Sequence, residues 1–341
     1  MKISRLKFDS RIVTAIVAFV LLILAPLGLP QYIVSLILIT VFYAILSSAW
    51  NIVGGFAGQL SLGNTVFLGM GAYISMLMFL DYKIPTLLGV FAAAFLSALV
   101  AIGFGILTIR LKGNFFAMAT LGLTVVSLLV VDNLPAITGG PAGIAIFPAN
   151  DPLNLQFPTI FGYYYLMIAL LALTIATTVI LLRSTHGHRL IATGNDESLA
   201  ESIGIDTTRE KVLAFVLSAV LTSVSGSIYV FYEKFITPDT LFATTLALQI
   251  VLMPVIGGMG TLLGPIVGAA IFIPVQNFTI SYLGRAFGSL DLVVYAIILI
   301  IVVLFAPNGL VALGSKLAKK INSLAIKRKR ETVSTKQGEF T

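Results

Sequence analysis

The side chains able to do chemistry are few in this sequence, and they do not gather. Its two histidines, His186 and His188, stand two residues apart in one polar stretch. Without further ligands they make no metal pair, and they read as surface residues. There is no cysteine, which removes disulfides, thiolate nucleophiles and Cys-based metal sites together. The string G-x-x-x-x-G-K-[ST], which cradles nucleotide phosphates, is absent, and the dipeptide Gly-Lys never occurs. The catalytic, cofactor-binding and metal-binding sets are therefore empty, and any ATP that drives this protein binds to another chain.

What remains is uncharged. The long apolar stretches hold Gln59, Asn64, Thr120, Thr124, Gln249, Gln276 and Asn277, and no Asp, Glu, Lys or Arg. Proton- and sodium-driven transporters often use intramembrane charges as relays or ion ligands, so their absence counts against an ion-coupled secondary transporter. A membrane-embedded enzyme acting on lipid needs a buried acid, base or metal set, and none is seen. The seven polar residues can bond a passing solute or tie helices together. A path built from them is weakly polar, with no fixed counter-ion.

Two glycine strings interrupt the apolar stretches. One is Gly54-Gly55-Phe56-Ala57-Gly58-Gln59-Leu60-Ser61-Leu62-Gly63-Asn64, and the other is Gly257-Gly258-Met259-Gly260-Thr261-Leu262-Leu263-Gly264. Both run Gly-Gly, then a further Gly, then Leu, then Gly before an apolar helix. Broken helices at matching positions in two halves point to a transporter's pathway, which makes Gly54, Gly55, Gly58, Gln59, Asn64, Gly257, Gly258 and Gly260 the candidate pathway residues. The other reading is close helix packing through small residues; Gly69 and Gly71 fit that one better.

The elements that must position these residues follow from composition. Of 341 residues 58% are apolar and 10% charged, with a mean hydropathy of +1.04; a soluble domain carries about 25% charge. No Asp, Glu, Lys or Arg falls between Ile12 and Leu80 or between Thr240 and Gly284, gaps long enough for several spans of about 20 residues. The pattern predicts an all-α integral membrane protein, a polytopic bundle of about ten transmembrane helices near 12–29, 31–53, 65–80, 84–109, 115–131, 162–182, 212–232, 241–256, 264–284 and 291–306. The segment 241–256 is the weakest and reads as a broken or re-entrant helix. Met1 to Leu29 has a basic start and an apolar run but no A-x-A cleavage site, so it reads as a retained first helix.

Ten spans with a cytoplasmic N-terminus place every Lys and Arg inside except Lys83, Lys234 and Arg285. This is the positive-inside rule, and it puts both termini in the cytoplasm. The transmembrane domain is then 1–311, and 312–341 is a basic cytoplasmic tail suited to anionic lipid; its charges suit a membrane surface rather than nucleic acid. Residues 132–160, rich in Pro, Gly and Asn, form an outer, periplasmic loop of short helices or turns. Residues 183–211 form the one large inner loop. Within it, Asp196 and Glu197 open a short helix through Leu199, Ala200 and Ile203 that Gly204 stops. Thr207 and Glu210 stand at capping-box spacing before the apolar run from Val212. Such a helix is a connector or a docking element for a cytoplasmic partner.

The segment Trp50-Asn51-Ile52-Val53-Gly54-Gly55-Phe56-Ala57-Gly58-Gln59-Leu60-Ser61-Leu62-Gly63-Asn64, with Gly71-Ala72-Tyr73, resembles the branched-chain amino acid ABC transporter permeases, and most of all their LivM-type subunit. The likeness continues through Leu111-Lys112-Gly113-Asn114-Phe115-Phe116-Ala117, Thr138-Gly139-Gly140-Pro141-Ala142-Gly143-Ile144, Gly194 to Gly204, Val255-Ile256-Gly257-Gly258-Met259-Gly260-Thr261 and Ala306-Pro307-Asn308-Gly309-Leu310. It departs at Gly187-His188-Arg189. The resemblance implies a type II-like ABC importer permease of the bacterial inner membrane, moving leucine, isoleucine and valine. It implies a second, LivH-like permease subunit, two ATPase subunits that bind ATP and Mg, and a periplasmic or lipid-anchored binding protein. It makes 183–211 the coupling loop, with Gly194, Asp196, Glu197, Ala200 and Gly204 meeting the ATPase. Urea and short-amide permeases share most of these motifs and stand as the alternative, ahead of an ion-coupled transporter.

Overall fold

A computed structural model of the chain describes residues 22–108, 111, 113–147, 151–282 and 309–311. Helix α1, Gln31–Asn51, starts directly after Pro30, whose extended backbone (φ −58, ψ 149) caps it, and runs on as a π-helical turn over Ile52–Phe56. Then come α2 (Asn64–Leu80), α3 (Thr86–Thr108), α4 (Asn114–Asp132) and α5 (Ile160–Arg183). Two polar-surface helices, α6 (Thr185–Asn195) and α7 (Glu197–Ser202), lead to α8 (Thr207–Glu233). A short turn of helix, Pro238–Leu241, precedes α9 (Thr244–Gly257) and α10 (Gly264–Tyr282).

Seven of these described helices are long and apolar enough to cross a bilayer, counting Pro238–Gly257 as one, and α2 is a shorter apolar helix of 17 residues. The chain is a mostly helical, multi-pass membrane protein. Eight of the predicted spans fall on these helices. The span 291–306, the tail 312–341 and most of 12–29 lie outside the described residues. The segment 241–256 is broken, as its sequence suggested, between Leu241 and Thr244. The first glycine string starts later than expected: Gly54 and Gly55 stay helical in the π turn, and the interruption is 57–63.

Helices α1 and α8 form the centre; 61% of each span is buried, against 28% for α3 and 22% for α4. The outer pair turn apolar side chains outward, among them Phe91, Phe95, Val126 and Leu129, as lipid-facing helices must. In the centre, small residues let backbones meet. A Cβ at Gly71 would overlap the Ser223 carbonyl, and one at Gly226 the Leu68 carbonyl. Ser227 donates across the same seam to Gly71 O at 2.8 Å, and Asn64 Nδ2 donates to Ser218 Oγ at 3.0 Å. So α8 is clamped to α2 along much of its length, about 40 Å at 1.5 Å per residue.

Residues 132–160 hold short turns at Pro135–Thr138, Gly140–Ala142 and Pro152–Asn154, and strand β1, Ile144–Ala145. Strand β2, Phe235–Ile236, follows α8 and pairs antiparallel with β1, Ile144 opposite Ile236. Gly143 (φ +73) lies so close to the Ile236 carbonyl that a Cβ would overlap it. The loop is thereby fastened to the far end of α8.

Candidate functional site

The loop 183–211 is more structured than its sequence suggested. Residues 185–195, for which the sequence suggested no element, form α6, capped by Ser184, whose Oγ accepts from Gly187 N at 3.2 Å. Helix α7 begins at its N-cap Asp196, whose Oδ1 accepts from Leu199 N at 3.0 Å. That hydrogen bond holds the Asp196 pKa below its ordinary 3.8. Gly204 (φ +85) ends the helix: Ile205 N donates back to Ala200 O at 3.1 Å, a left-handed stop that glycine adopts without penalty.

One reading of this loop needs correction and a second needs refinement. The cap of α8 is Asp206, accepting from Arg209 N at 3.0 Å, not Thr207. Asp206 is free to do so because Thr207 Oγ1 turns away and donates to Glu201 Oε1 at 2.8 Å. His186 is not a bare surface residue; its Nδ1 lies 2.9 Å from Glu210 Oε2, with Arg189 at 3.7 Å from Oε1. Helix α8 also starts five residues before the predicted span and so carries two buried charges, Glu210 and Lys211. Lys211 Nζ meets Glu197 Oε1 at 2.6 Å. Thus both loop helices are tied to the first turn of α8: α6 through Glu210, and α7 through Lys211 and Thr207. Such buried pairs are costly to break on one side only.

The loop is also wedged against the first glycine string. A Cβ at Gly194 would overlap the Phe56 carbonyl, and one at Gly58 (φ +68) would stand 3.0 Å from Gly194 O. The first string in turn meets the second. Asn51, one turn before Gly55, accepts from Gly260 N at 3.0 Å and donates to Thr261 O at 2.9 Å. Gly55 lies 2.6 Å, by its would-be Cβ, from Gly260 N. Gly257 packs on the backbone of Gly264 and Gly268, Gly258 receives Gly309, and Gly54 faces the Trp50 ring of its own helix. Trp50 Nε1 donates to Ser61 O at 2.6 Å and pins the segment 57–63. Every glycine of the predicted pathway set is therefore at a close contact, whereas Gly204 of the loop stands in open space.

Of the predicted polar residues, Gln59 and Asn64 are buried, and Gln59 Oε1 and Asn64 Oδ1 accept nothing among the described residues. Thr120 and Thr124 hold the segment before α2: Leu62 N donates to Thr120 Oγ1 at 2.9 Å, and Thr124 Oγ1 donates to Leu62 O at 3.3 Å. Asn277 bonds within its own helix to Ile273 O, and Gln276 is half-buried on the same helix. Gln249 Oε1 accepts from Tyr43 OH at 3.2 Å.

Predicted coupling residues differ in what they expose. Ala200 is buried, whereas Leu199 and Ile203 on the same short helix are 63% and 69% exposed. An apolar pair left in water on a capped helix is a surface for contact. The sequence reading used Leu199 and Ile203 only to mark the helix; their spacing of four with Ala200 between them was the available signal. It also passed over Glu233. At the far end of α8, Tyr229 OH donates to Glu233 Oε1 at 3.0 Å at the edge of a cavity of about 290 Å³.

Comparison with known proteins gives the chain a family. A family profile described as branched-chain amino acid transport system / permease component matches residues 32–303. The chain is 27% identical over 300 residues to the high-affinity branched-chain amino acid transport system permease protein LivM of Salmonella typhimurium, covering 81% of this chain and 69% of the relative. It is 26% identical over 315 residues to the protein of the same name in Escherichia coli K12, covering 86% and 73%. It is 27% identical over 218 residues to the probable branched-chain amino acid transport permease protein LivH of Methanocaldococcus jannaschii, covering 60% and 66%. No solved structure matches.

Proposed function

We propose, from the fact that the chain belongs to the branched-chain amino acid transport permease family, that it is the membrane-spanning permease subunit of an ATP-driven importer of leucine, isoleucine and valine. The observation that carries this reading is the family match across residues 32–303, together with relatives named LivM and LivH. The family is a permease component, not an enzyme, so the chain's part is translocation. ATP and Mg bind to two partner ATPase subunits. A second permease subunit completes the channel, and a periplasmic or lipid-anchored binding protein selects the substrate. The bundle has about ten helices in the bacterial inner membrane with both ends in the cytoplasm, an orientation supported by the Lys and Arg distribution.

In this account α7 docks on an ATPase subunit through Leu199 and Ile203. Gly194, Asp196, Glu197, Ala200 and Gly204 give the docking helix its shape and its attachments. A push on α7 reaches the bundle by two routes: the Glu197–Lys211 pair at the start of α8, and the Gly194–Gly58 contact at the break after α1. Because α8 and α2 are clamped, motion of the first route tilts both. Motion of the second shifts the segment that carries Gln59 and Asn64, whose free oxygens suit a polar solute on its way through. Gly54, Gly55, Gly257, Gly258 and Gly260 keep the moving backbones close enough to slide as packed units.

The test is uptake of labelled leucine and labelled urea in a strain lacking this chain, with and without a protonophore while ATP is held constant. Leucine uptake restored by the chain and insensitive to the protonophore supports the proposal. Restoration of urea uptake alone, or collapse with the protonophore, refutes it.

A further inference from the structure

Far from the loop, the last turn of α8 and the segments after it enclose a cavity of about 290 Å³, at the small end of what ligand pockets span. One wall is apolar: Phe42, Leu68, Leu241 and Leu246. The other holds the Glu233 carboxylate, with Tyr229 OH on Oε1 at 3.0 Å. The Tyr229 ring is fixed by stacking on Phe42 at 4.2 Å between centroids, with planes 9° apart. No ion pair among the described residues includes Glu233. A carboxylate accepts about four hydrogen bonds, so one donor leaves it able to take a cation. Glu233 also lines a second cavity, of about 360 Å³, to which Lys234 contributes. Glu233 is thus shared between the first cavity, with its apolar wall, and the second, on the Lys234 side.

We infer that this end of the permease is a receiving site for an aliphatic α-amino acid, Glu233 taking its ammonium and the Phe42–Leu68–Leu246 wall its side chain. A neutral solute such as urea has no use for the carboxylate. The inference rests on the transport reading and refines it: the chain holds a charged contact for its cargo at the end of α8 opposite the loop helices.

The experiment uses the complete transporter in proteoliposomes with its binding protein. It compares wild type, Glu233→Gln and Glu233→Asp for uptake of labelled leucine and for ATPase rate. Gln keeps an oxygen for Tyr229 and replaces the other, with its share of the charge, by a neutral NH2. The expected result is about tenfold less uptake in Glu233→Gln, the size of a lost charge-assisted hydrogen bond. Assembly stays unchanged, and Glu233→Asp recovers uptake to within about twofold. Uptake in Glu233→Gln equal to wild type overturns the site while leaving the transport function standing. Equal loss in Gln and Asp variants also overturns it, because the shape of the turn would then be what matters. Wild-type vesicles that take up no leucine would instead sink the transport reading itself.

Discussion

The two glycine strings look alike as sequence and do different work in the structure. The string from Gly54 to Gly63 lies between elements: it meets Gly194 of the loop on one side and Gly260 of the second string on the other. The string from Gly257 to Gly264 closes a hairpin, bringing α10 against the end of α9 through the Gly257–Gly264 and Gly257–Gly268 contacts. The first is a joint and the second a hinge pin held shut. Sequence similarity between broken segments therefore identifies where backbones come close, not what passes between them.

The largest effect that would test this contrast is at the pin. Gly257→Leu puts a side chain into the Gly264 carbonyl, where backbone cannot yield, and overpacking of this kind costs about 1–3 kcal/mol or more. Little transporter should reach the membrane, and leucine uptake should be lost; normal levels on an immunoblot would show the hairpin to be looser than described.

Next is the ionic attachment of the loop. Glu197→Gln leaves Lys211 buried without its partner, a change of about 3 kcal/mol for a buried pair broken on one side. Protein should still assemble, uptake should fall at least tenfold, and the exchanged pair Glu197→Lys with Lys211→Glu should recover part of it. An additive rather than compensating double variant would remove this route of coupling.

The joint itself comes third. Gly58→Val asks a branched residue to hold φ +68 against Gly194, strain of about 2 kcal/mol. ATPase activity should persist while uptake falls several-fold. Equal loss of both would make Gly58 a folding residue like Gly257, and the contrast between the strings would close.

The smallest effect is at the α7 cap. Asp196→Ala should raise amide exchange at Leu199 without abolishing uptake. Because the Asp196 pKa is lowered by folding, its contribution is complete above pH 3.8 and is lost as pH falls through the lowered value. Exchange at Leu199 should thus be flat from pH 7 to 5 once corrected for intrinsic rates.

Much of the bundle was legible because bilayer physics leaves few choices: charge-free runs become helices, and eight predicted spans coincide with described ones. The loop was legible only in part. Asp196 and Gly204 signal their roles by type, since a cap needs a short acceptor and a left-handed stop favours glycine. Thr207 misled, because a capping box whose Thr lies six residues after Glu201 has a competing partner that only tertiary structure reveals. Glu210 and Lys211 could not be read as buried, since the span was drawn from the first apolar residue after them. Glu233 was invisible at the other end because its role depends on Tyr229, Phe42 and a cavity lined from six elements.

The most direct test of the coupling account uses the absence of cysteine in the natural chain. Ile203→Cys, carrying a thiol-reactive photo-crosslinker, is compared in the assembled, transport-competent complex with Phe95→Cys on the outward face of α3. The account predicts that Ile203 crosslinks to an ATPase subunit and Phe95 does not. A complex that takes up leucine normally, with no crosslink from Ile203 to any ATPase subunit, would contradict it.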